Sequence, residues 1–185
     1  MIEDSLADDH ESLAASLKSL EAALAQTDLV RAFALLDLFW ARLAVHIRAE
    51  NVCLFPAILN APAKLFVAEN GLPQIDEARA AIARLRGDHN FFTDELAKAV
   101  KTMRDLLAEA ESENTPCQIE DVQRRVAALA QRLDGHNKLE EEQVYRWPSV
   151  LLTPAELARL DDAIRYEIQN LPRRFAEPSL NSPSL

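Results

Sequence analysis

The chain has 185 residues, of which 49% are hydrophobic and only three are glycine, so a disordered chain is excluded and one helical domain is favoured. Its net charge of -10 argues against nucleic acid or an anionic membrane as a partner. Two cysteines are too few for a disulfide framework, no apolar run is long enough for a membrane span, and the acidic start does not resemble a signal peptide, so we expect a cytoplasmic protein.

Apolar periodicity, prolines and capping signals predict five helices. In chain order they span about Ser5–Ala25, Asp28 to before Pro56, Pro73 to Glu111, Thr115 to Trp147, and Thr153 to before Pro172. A short helical segment interrupted by proline is expected near residues 57–68. The last two helices begin with Thr-Pro-x-Gln and Thr-Pro-x-Glu, which predict a capping threonine followed by proline at the first helical position.

The first four helices carry apolar stripes with alternating steps of three and four residues. Such stripes are typical of the inward seam of a helix bundle. We therefore predict an all-α fold, an antiparallel up-down-up-down four-helix bundle with an extra C-terminal helix packed on its outside. We expect residues 1–150 to form the bundle, residues 151–171 an accessory helix and residues 172–185 a flexible tail.

All four histidines of the chain lie on these stripes. His46 and His136 each open a His-x-x-x-Glu motif that ends in Glu50 or Glu140, so each glutamate follows its histidine by one helical turn. His10 and His89 stand on the helices that precede these motifs. A carboxylate on an apolar stripe must be paired, protonated or bound to a cation.

The two halves of the chain repeat the same order, Asp-His followed by His-x-x-x-Glu. Two helical hairpins of matched length would bring all six side chains to one level of the bundle, with two imidazoles and one carboxylate from each hairpin. Three ligands for each metal, with two carboxylates able to bridge, suit a pair of iron, manganese or zinc ions. Iron is favoured where the exogenous ligand is dioxygen, nitric oxide or peroxide, because iron changes valence.

These motifs resemble the hemerythrin-like (HHE cation-binding) family of di-iron four-helix bundles. The resemblance covers about Leu6 to Pro148 and includes His46-Ile-Arg-Ala-Glu50, followed by Leu54-Phe55-Pro56, and His136-Asn-Lys-Leu-Glu140. It implies two iron ions held by terminal histidine ligands and bridged by carboxylates and by an oxo or hydroxo group. The implied metal ligands are His10, His46, Glu50, His89, His136 and Glu140.

The chain departs from the oxygen-carrying members at Thr93, where they have a second histidine four residues after that of the third helix. It resembles instead the variant with four histidines and two glutamates, found in bacterial proteins of nitrosative and oxidative stress, iron–sulfur centre repair, and iron or oxygen sensing. The first helix begins almost at Met1, so we expect no cysteine-bearing N-terminal domain like that of the repair proteins.

The resulting functional hypothesis is a di-iron protein that binds dioxygen, nitric oxide or peroxide in a sensing, stress-response or iron-handling role. A di-iron oxidoreductase of the peroxidase or nitric oxide reductase type is the enzyme alternative, and a structural or regulatory bundle with zinc is the third. We favour ligand binding over turnover, and a monomer or a homodimer without an identified protein partner.

Several residues near the motifs have two interpretations. Glu141 and Glu142 point away from the seam, so a solvated face is expected rather than metal ligation. Cys53 is expected to pack as a small apolar residue, and Tyr145 to serve packing or face solvent, although either could lie near the metals. Close backbone approach or a local bulge would explain Gly87 and Gly135, which stand beside histidines.

Overall fold

The computed structural model describes residues 2–68, 71–108 and 115–175, which are helical apart from short connections and contain no strand. The α-helices of this described part, numbered in chain order, are α1 (Ile2–Ala25), α2 (Leu29–Ala49), α3 (Phe55–Leu59), α4 (Ile75–Ala108), α5 (Thr115–Glu142), α6 (Trp147–Leu151) and α7 (Pro154–Gln169).

Helices α1, α2, α4 and α5 form a four-helix bundle in which each helix packs on two neighbours. Helix α1 contacts α2 and α5, and α4 contacts the same two helices from the opposite corner. Helix α7 packs on the outside of this bundle, mainly against α2. The predicted all-helical bundle with an extra C-terminal helix is therefore confirmed.

The second helix, α2, ends at Ala49, earlier than the predicted boundary at Pro56, but the chain remains helical past Pro56. A π-helical turn, Glu50–Leu54, connects α2 directly to α3, and the N–H of Phe55 donates to the carbonyl of Glu50. Pro56 then lies in the first turn of α3, where a proline is tolerated because its missing N–H is not needed there. The π turn starts at a predicted ligand, which is a common location for such bulges.

The fourth predicted helix corresponds to α5, which ends at Glu142 instead of near Trp147. A 3₁₀ turn, Val144–Arg146, then leads into α6. The predicted start of the fifth helix is confirmed, because Thr153 caps α7 and Glu156 completes a capping box with it. An ion pair between Arg48 and Glu167 joins α2 to α7 at 2.6 Å.

Two expected features fall partly outside the described residues. The end of the third helix near Glu111 lies there, as do residues 176–185 of the predicted tail. Within the described part, Arg173–Phe175 form a 3₁₀ turn, and Arg174 donates to Asp37 on α2 at 2.7 Å. Over the described ranges, no helix is both long enough and apolar enough to span a membrane.

Candidate metal centre

A polar layer crosses the bundle between two apolar clusters. One cluster is built around Leu13, Phe39 and Phe92, and the other around Leu6 and Phe55. Among the described residues, every buried polar or charged residue belongs to this layer: Asp9, His10, His46, Glu50, Asp88, His89, His136 and Glu140. The layer therefore contains all six side chains that the motifs predict as ligands.

These six side chains form two groups that share both glutamates. His10 and His46 make the first group with Glu50 and Glu140, and His89 and His136 make the second with the same two carboxylates. The candidate ligand atoms of each group lie within 4.8 Å of one another. Each helical hairpin thus supplies a pair of imidazoles, and the two glutamates stand between the pairs.

The spacing of these atoms suits ligands around an ion. Ligand atoms at about 2.1 Å from an ion, and at right angles to each other, stand about 3 Å apart. The Nε2 atoms of His10 and His46 are separated by 3.1 Å, and those of His89 and His136 by 3.2 Å. All four Nε2 atoms also lie 3.2–3.4 Å from a glutamate oxygen.

Each glutamate turns one oxygen toward each histidine pair. Oε1 of Glu50 lies 3.4 Å from Nε2 of His46, and Oε2 lies 3.2 Å from Nε2 of His89. Glu140 does the same, with Oε2 at 3.4 Å from Nε2 of His10 and Oε1 at 3.2 Å from Nε2 of His136. This is the orientation that a bridging carboxylate needs.

Two of these carboxylate oxygens make no well-oriented hydrogen bond, although each lies 3.2 Å from a histidine Nε2. They are Oε2 of Glu50 and Oε1 of Glu140, and both face the His89 and His136 pair. A buried polar atom without a partner costs about 1–3 kcal/mol, and more if it is charged. Cations between the carboxylates would satisfy both oxygens, so the donor set fits a two-metal centre.

Aspartates on the outside of the layer hold one histidine in each half. Nδ1 of His46 donates to Oδ2 of Asp9 at 2.9 Å, and Nδ1 of His136 donates to Oδ2 of Asp88 at 3.3 Å. Arg42 lies 3.2 Å from Asp9, and Arg132 lies 2.6 Å from Asp88. These contacts leave Nε2 of both rings directed into the layer.

The other two histidines have different outer partners. Nδ1 of His10 donates to Oε1 of Glu141 at 2.7 Å, whereas Nδ1 of His89 lies 3.0 Å from Nδ2 of Asn51. Glu141 is 45% exposed and does not belong to either candidate group, as expected, but it is not merely a solvated charge. Glu142, 57% exposed, lies on the charged surface beside Lys138.

The buried carboxylates of the layer favour a positive charge between them. Burial by itself would lower the pKa of His46, but the carboxylates of Glu50 and Asp9 raise it to about 10. Burial would raise the pKa of Glu50, yet the imidazoles of His46 and His89 hold it well below its usual value. In the absence of a metal, the proton on His46 supplies positive charge of the kind that cations would supply in the loaded centre.

Tyr145, for which we had expected packing or solvent exposure, belongs to this layer, which is the alternative that the sequence left open. It is buried, and its hydroxyl donates to Oε1 of Glu50 at 2.6 Å and lies 3.1 Å from both Oε2 of Glu140 and Nε2 of His10. Burial raises its pKa well above the usual value, and the two glutamates add to this effect. Its position five residues after Glu140 matches that of Phe55 after Glu50, a correspondence visible in the repeat.

The remaining candidates belong to neither group of candidate ligands. Cys53 packs against the second apolar cluster and belongs to neither candidate group, and burial raises the pKa of its thiol. The hydroxyl of Thr93 donates to the carbonyl of His89 in its own helix at 2.9 Å. No atom lies within 4 Å of a Cβ built on Gly87 or Gly135, so close backbone approach does not explain these glycines.

Comparison with known protein families gives a match over most of the chain. The model of the hemerythrin HHE cation binding domain matches residues 1–147, which include the whole polar layer. Neither the curated proteins nor the solved structures contain a significant match to the chain.

Proposed function

Because the chain belongs to the hemerythrin HHE cation-binding family, we propose that its polar layer is a centre for two iron ions. The observation that carries this proposal is that Glu50 and Glu140 are common to both candidate groups. One carboxylate oxygen for each histidine pair is the arrangement expected of two ions bridged by two glutamates. Mixed imidazole and carboxylate donors suit iron, although zinc or manganese would accept the same ligands.

His10 and His46 would hold one ion and His89 and His136 the other. Iron bound there would supply a change of valence and an open coordination position for a small ligand. The chain itself orients the imidazoles, because Asp9 and Asp88 fix two of the rings through Nδ1. The apolar clusters above and below the layer exclude bulk water from it.

The proposed role of this centre is to bind dioxygen, nitric oxide or peroxide in sensing, stress response or iron handling. Reversible oxygen transport is not part of the proposal. Thr93 stands where an oxygen carrier has a further histidine, and its hydroxyl is directed to its own helix instead of the centre. We place the protein among ligand-binding proteins and keep turnover of peroxide or nitric oxide as the alternative.

We also propose a division of the chain into two parts. Residues 1–150 would form the metal-binding bundle and residues 151–171 an accessory helix, and the ion pair of Arg48 with Glu167 supports the docking of that helix on α2. We further propose a cytoplasmic protein that acts as a monomer or a homodimer and does not bind nucleic acid.

Ligand binding by the iron-loaded protein tests the proposed role. The metal-free chain is loaded with ferrous iron while oxygen is excluded, and is then titrated with dioxygen, nitric oxide or peroxide in separate experiments. We expect a saturable change of the absorption spectrum with at least one ligand. The same protein loaded with zinc is the matched control, and its spectrum should not change.

The outcomes separate the candidate functions. A fully iron-loaded protein whose spectrum responds to none of the three ligands contradicts the proposed role. Continuous consumption of peroxide or nitric oxide in the presence of a reductant identifies the oxidoreductase. Protein from its native host that contains zinc rather than iron supports the structural or regulatory bundle.

A further inference from the structure

One difference between the two halves of the polar layer lies in an aromatic ring that stacks on a histidine. Phe55 follows Glu50 by five residues and lies parallel to the ring of His89, with centroids 5.9 Å apart and an angle of 10°. Tyr145 follows Glu140 by five residues and stacks on the ring of His10, with centroids 5.6 Å apart and an angle of 29°. The corresponding rings thus differ by a hydroxyl group.

That hydroxyl lies among the candidate ligand atoms of the first group. The phenol oxygen is 2.6 Å from Oε1 of Glu50 and 3.1 Å from both Oε2 of Glu140 and Nε2 of His10. These distances are close to the separation of about 3 Å between ligands at right angles around one ion. The phenol oxygen therefore occupies the position of a further ligand of the same ion.

The hydrogen bond to Glu50 serves one of the three polar atoms around the hydroxyl. A phenol has one proton to donate, and Tyr145 has two carboxylate oxygens and one imidazole nitrogen around its oxygen, all of them in buried residues. A cation between these atoms would bind the oxygen, both carboxylates and the imidazole together.

We propose that Tyr145 is a fifth protein ligand of the ion held by His10 and His46, and that the ion held by His89 and His136 has no counterpart because Phe55 lacks the hydroxyl. This inference rests on the proposed two-iron centre. On coordination the phenol O–H bond breaks, the oxygen keeps the electron pair, and the proton is released to solvent. The two ions would then differ in the number of protein ligands that bind them.

The test is the optical and resonance Raman spectrum of the ferric protein, with the iron content measured in the same sample. A phenolate bound to ferric iron gives a charge-transfer band in the visible range, and excitation in that band enhances the vibrations of the tyrosine ring. We expect both signals in the wild-type protein. Tyr145→Phe should lose them and retain the iron content of the wild type.

The matched control is Tyr166→Phe, since Tyr166 on α7 is 68% exposed. The chain has only two tyrosines, so signals that persist in Tyr166→Phe come from Tyr145 even if Tyr145→Phe binds iron poorly. Signals that disappear in Tyr166→Phe overturn the inference. A wild-type protein with two irons and no tyrosine signals also overturns it but leaves the proposed function intact, whereas a wild-type protein that binds no iron refutes the proposed function itself.

Discussion

The carboxylate of Asp9 accepts a hydrogen bond from Nδ1 of His46 at 2.9 Å, so a residue of α1 orients a histidine of α2. Asp9 precedes His10 in the chain, yet the histidine that it holds is that of the neighbouring helix. The same relationship joins Asp88 on α4 to His136 on α5. In each repeated Asp-His pair, the histidine is a candidate ligand and the aspartate holds the candidate ligand of the neighbouring helix.

Asp9→Asn should weaken metal binding about 10- to 100-fold, the usual effect of losing a carboxylate that holds a ligating histidine. The amide keeps the shape of the side chain but not its charge, so His46 is held less firmly and becomes a weaker donor. Asp88→Asn is the equivalent change in the other half and should have an effect of similar size. Competition with a chelator of known affinity measures both.

The control for this pair is Asp94→Asn, because Asp94 is exposed on α4, the same helix as Asp88. Its metal affinity should equal that of the wild type. If Asp9→Asn and Asp88→Asn also bind metal as the wild type does, with unchanged helix content, the aspartates have no part in holding the centre.

The metal-free protein should lose stability as the pH rises from about 6.5 to about 10. The folded chain raises the pKa of His46 from 6.5 to about 10, so the bound proton stabilises the folded state. This contribution is complete below the unfolded value of 6.5 and disappears as the pH passes through about 10. Urea unfolding in the presence of a chelator, repeated across this range, measures the change.

The metal-loaded protein should keep a nearly constant stability over the same range, because a metal replaces the proton on His46 in the folded state and the unfolded histidine has lost its proton above pH 6.5. Metal and proton compete for the imidazole, so the affinity for metal increases with pH.

His46→Asn, which cannot take up this proton, should show a flatter dependence of stability on pH in the metal-free state. A stability of the metal-free wild type that stays constant or increases from pH 6.5 to 10 would show that the carboxylates do not hold a proton on His46.

Gly87→Ala and Gly135→Ala should each increase the free energy of unfolding by about 0.8–1 kcal/mol, the difference between glycine and alanine in the interior of a helix. Both glycines lie in helices, and an added Cβ would meet no atom within 4 Å. They line a surface groove next to Asp88 and His136, which the added methyl groups would narrow.

Gly71→Ala provides the contrast, because Gly71 has a φ of 71° that an alanine adopts only with strain. This variant should be less stable than the wild type. Urea unfolding of all three variants checks the prediction. A loss of stability in the two helical variants would mean that these glycines have a structural role that the open space around them does not suggest.

The sequence was sufficient to predict the bundle and the common level of the six side chains. Periodicity assigned His46 and Glu50 to one face of a helix, and the repeat placed His136 and Glu140 in the same way. These relationships depend on spacing within single helices, which a sequence records directly.

Contacts between helices could not be predicted in this way. That Asp9 holds His46, or that Glu141 contacts His10, depends on the rotation of one helix against another. The π turn Glu50–Leu54 and the 3₁₀ turn Val144–Arg146 also make α2 and α5 end earlier than predicted. The second of these turns contains Tyr145 and brings its hydroxyl into the layer. For Tyr145, the sequence left packing, solvent exposure and a position near the metals as alternatives.

The number of ions bound by each chain tests the central claim most directly. The protein is stripped of metal, loaded with ferrous iron in the absence of oxygen, freed of excess iron and analysed for iron and protein. The wild type should bind about two ions, as expected for two groups of imidazole and carboxylate donors. His10→Ala should lose mainly one ion, whereas Glu50→Gln should weaken both, because Glu50 belongs to both groups. A folded wild-type chain that binds one ion or none would contradict a two-metal centre bridged by Glu50 and Glu140.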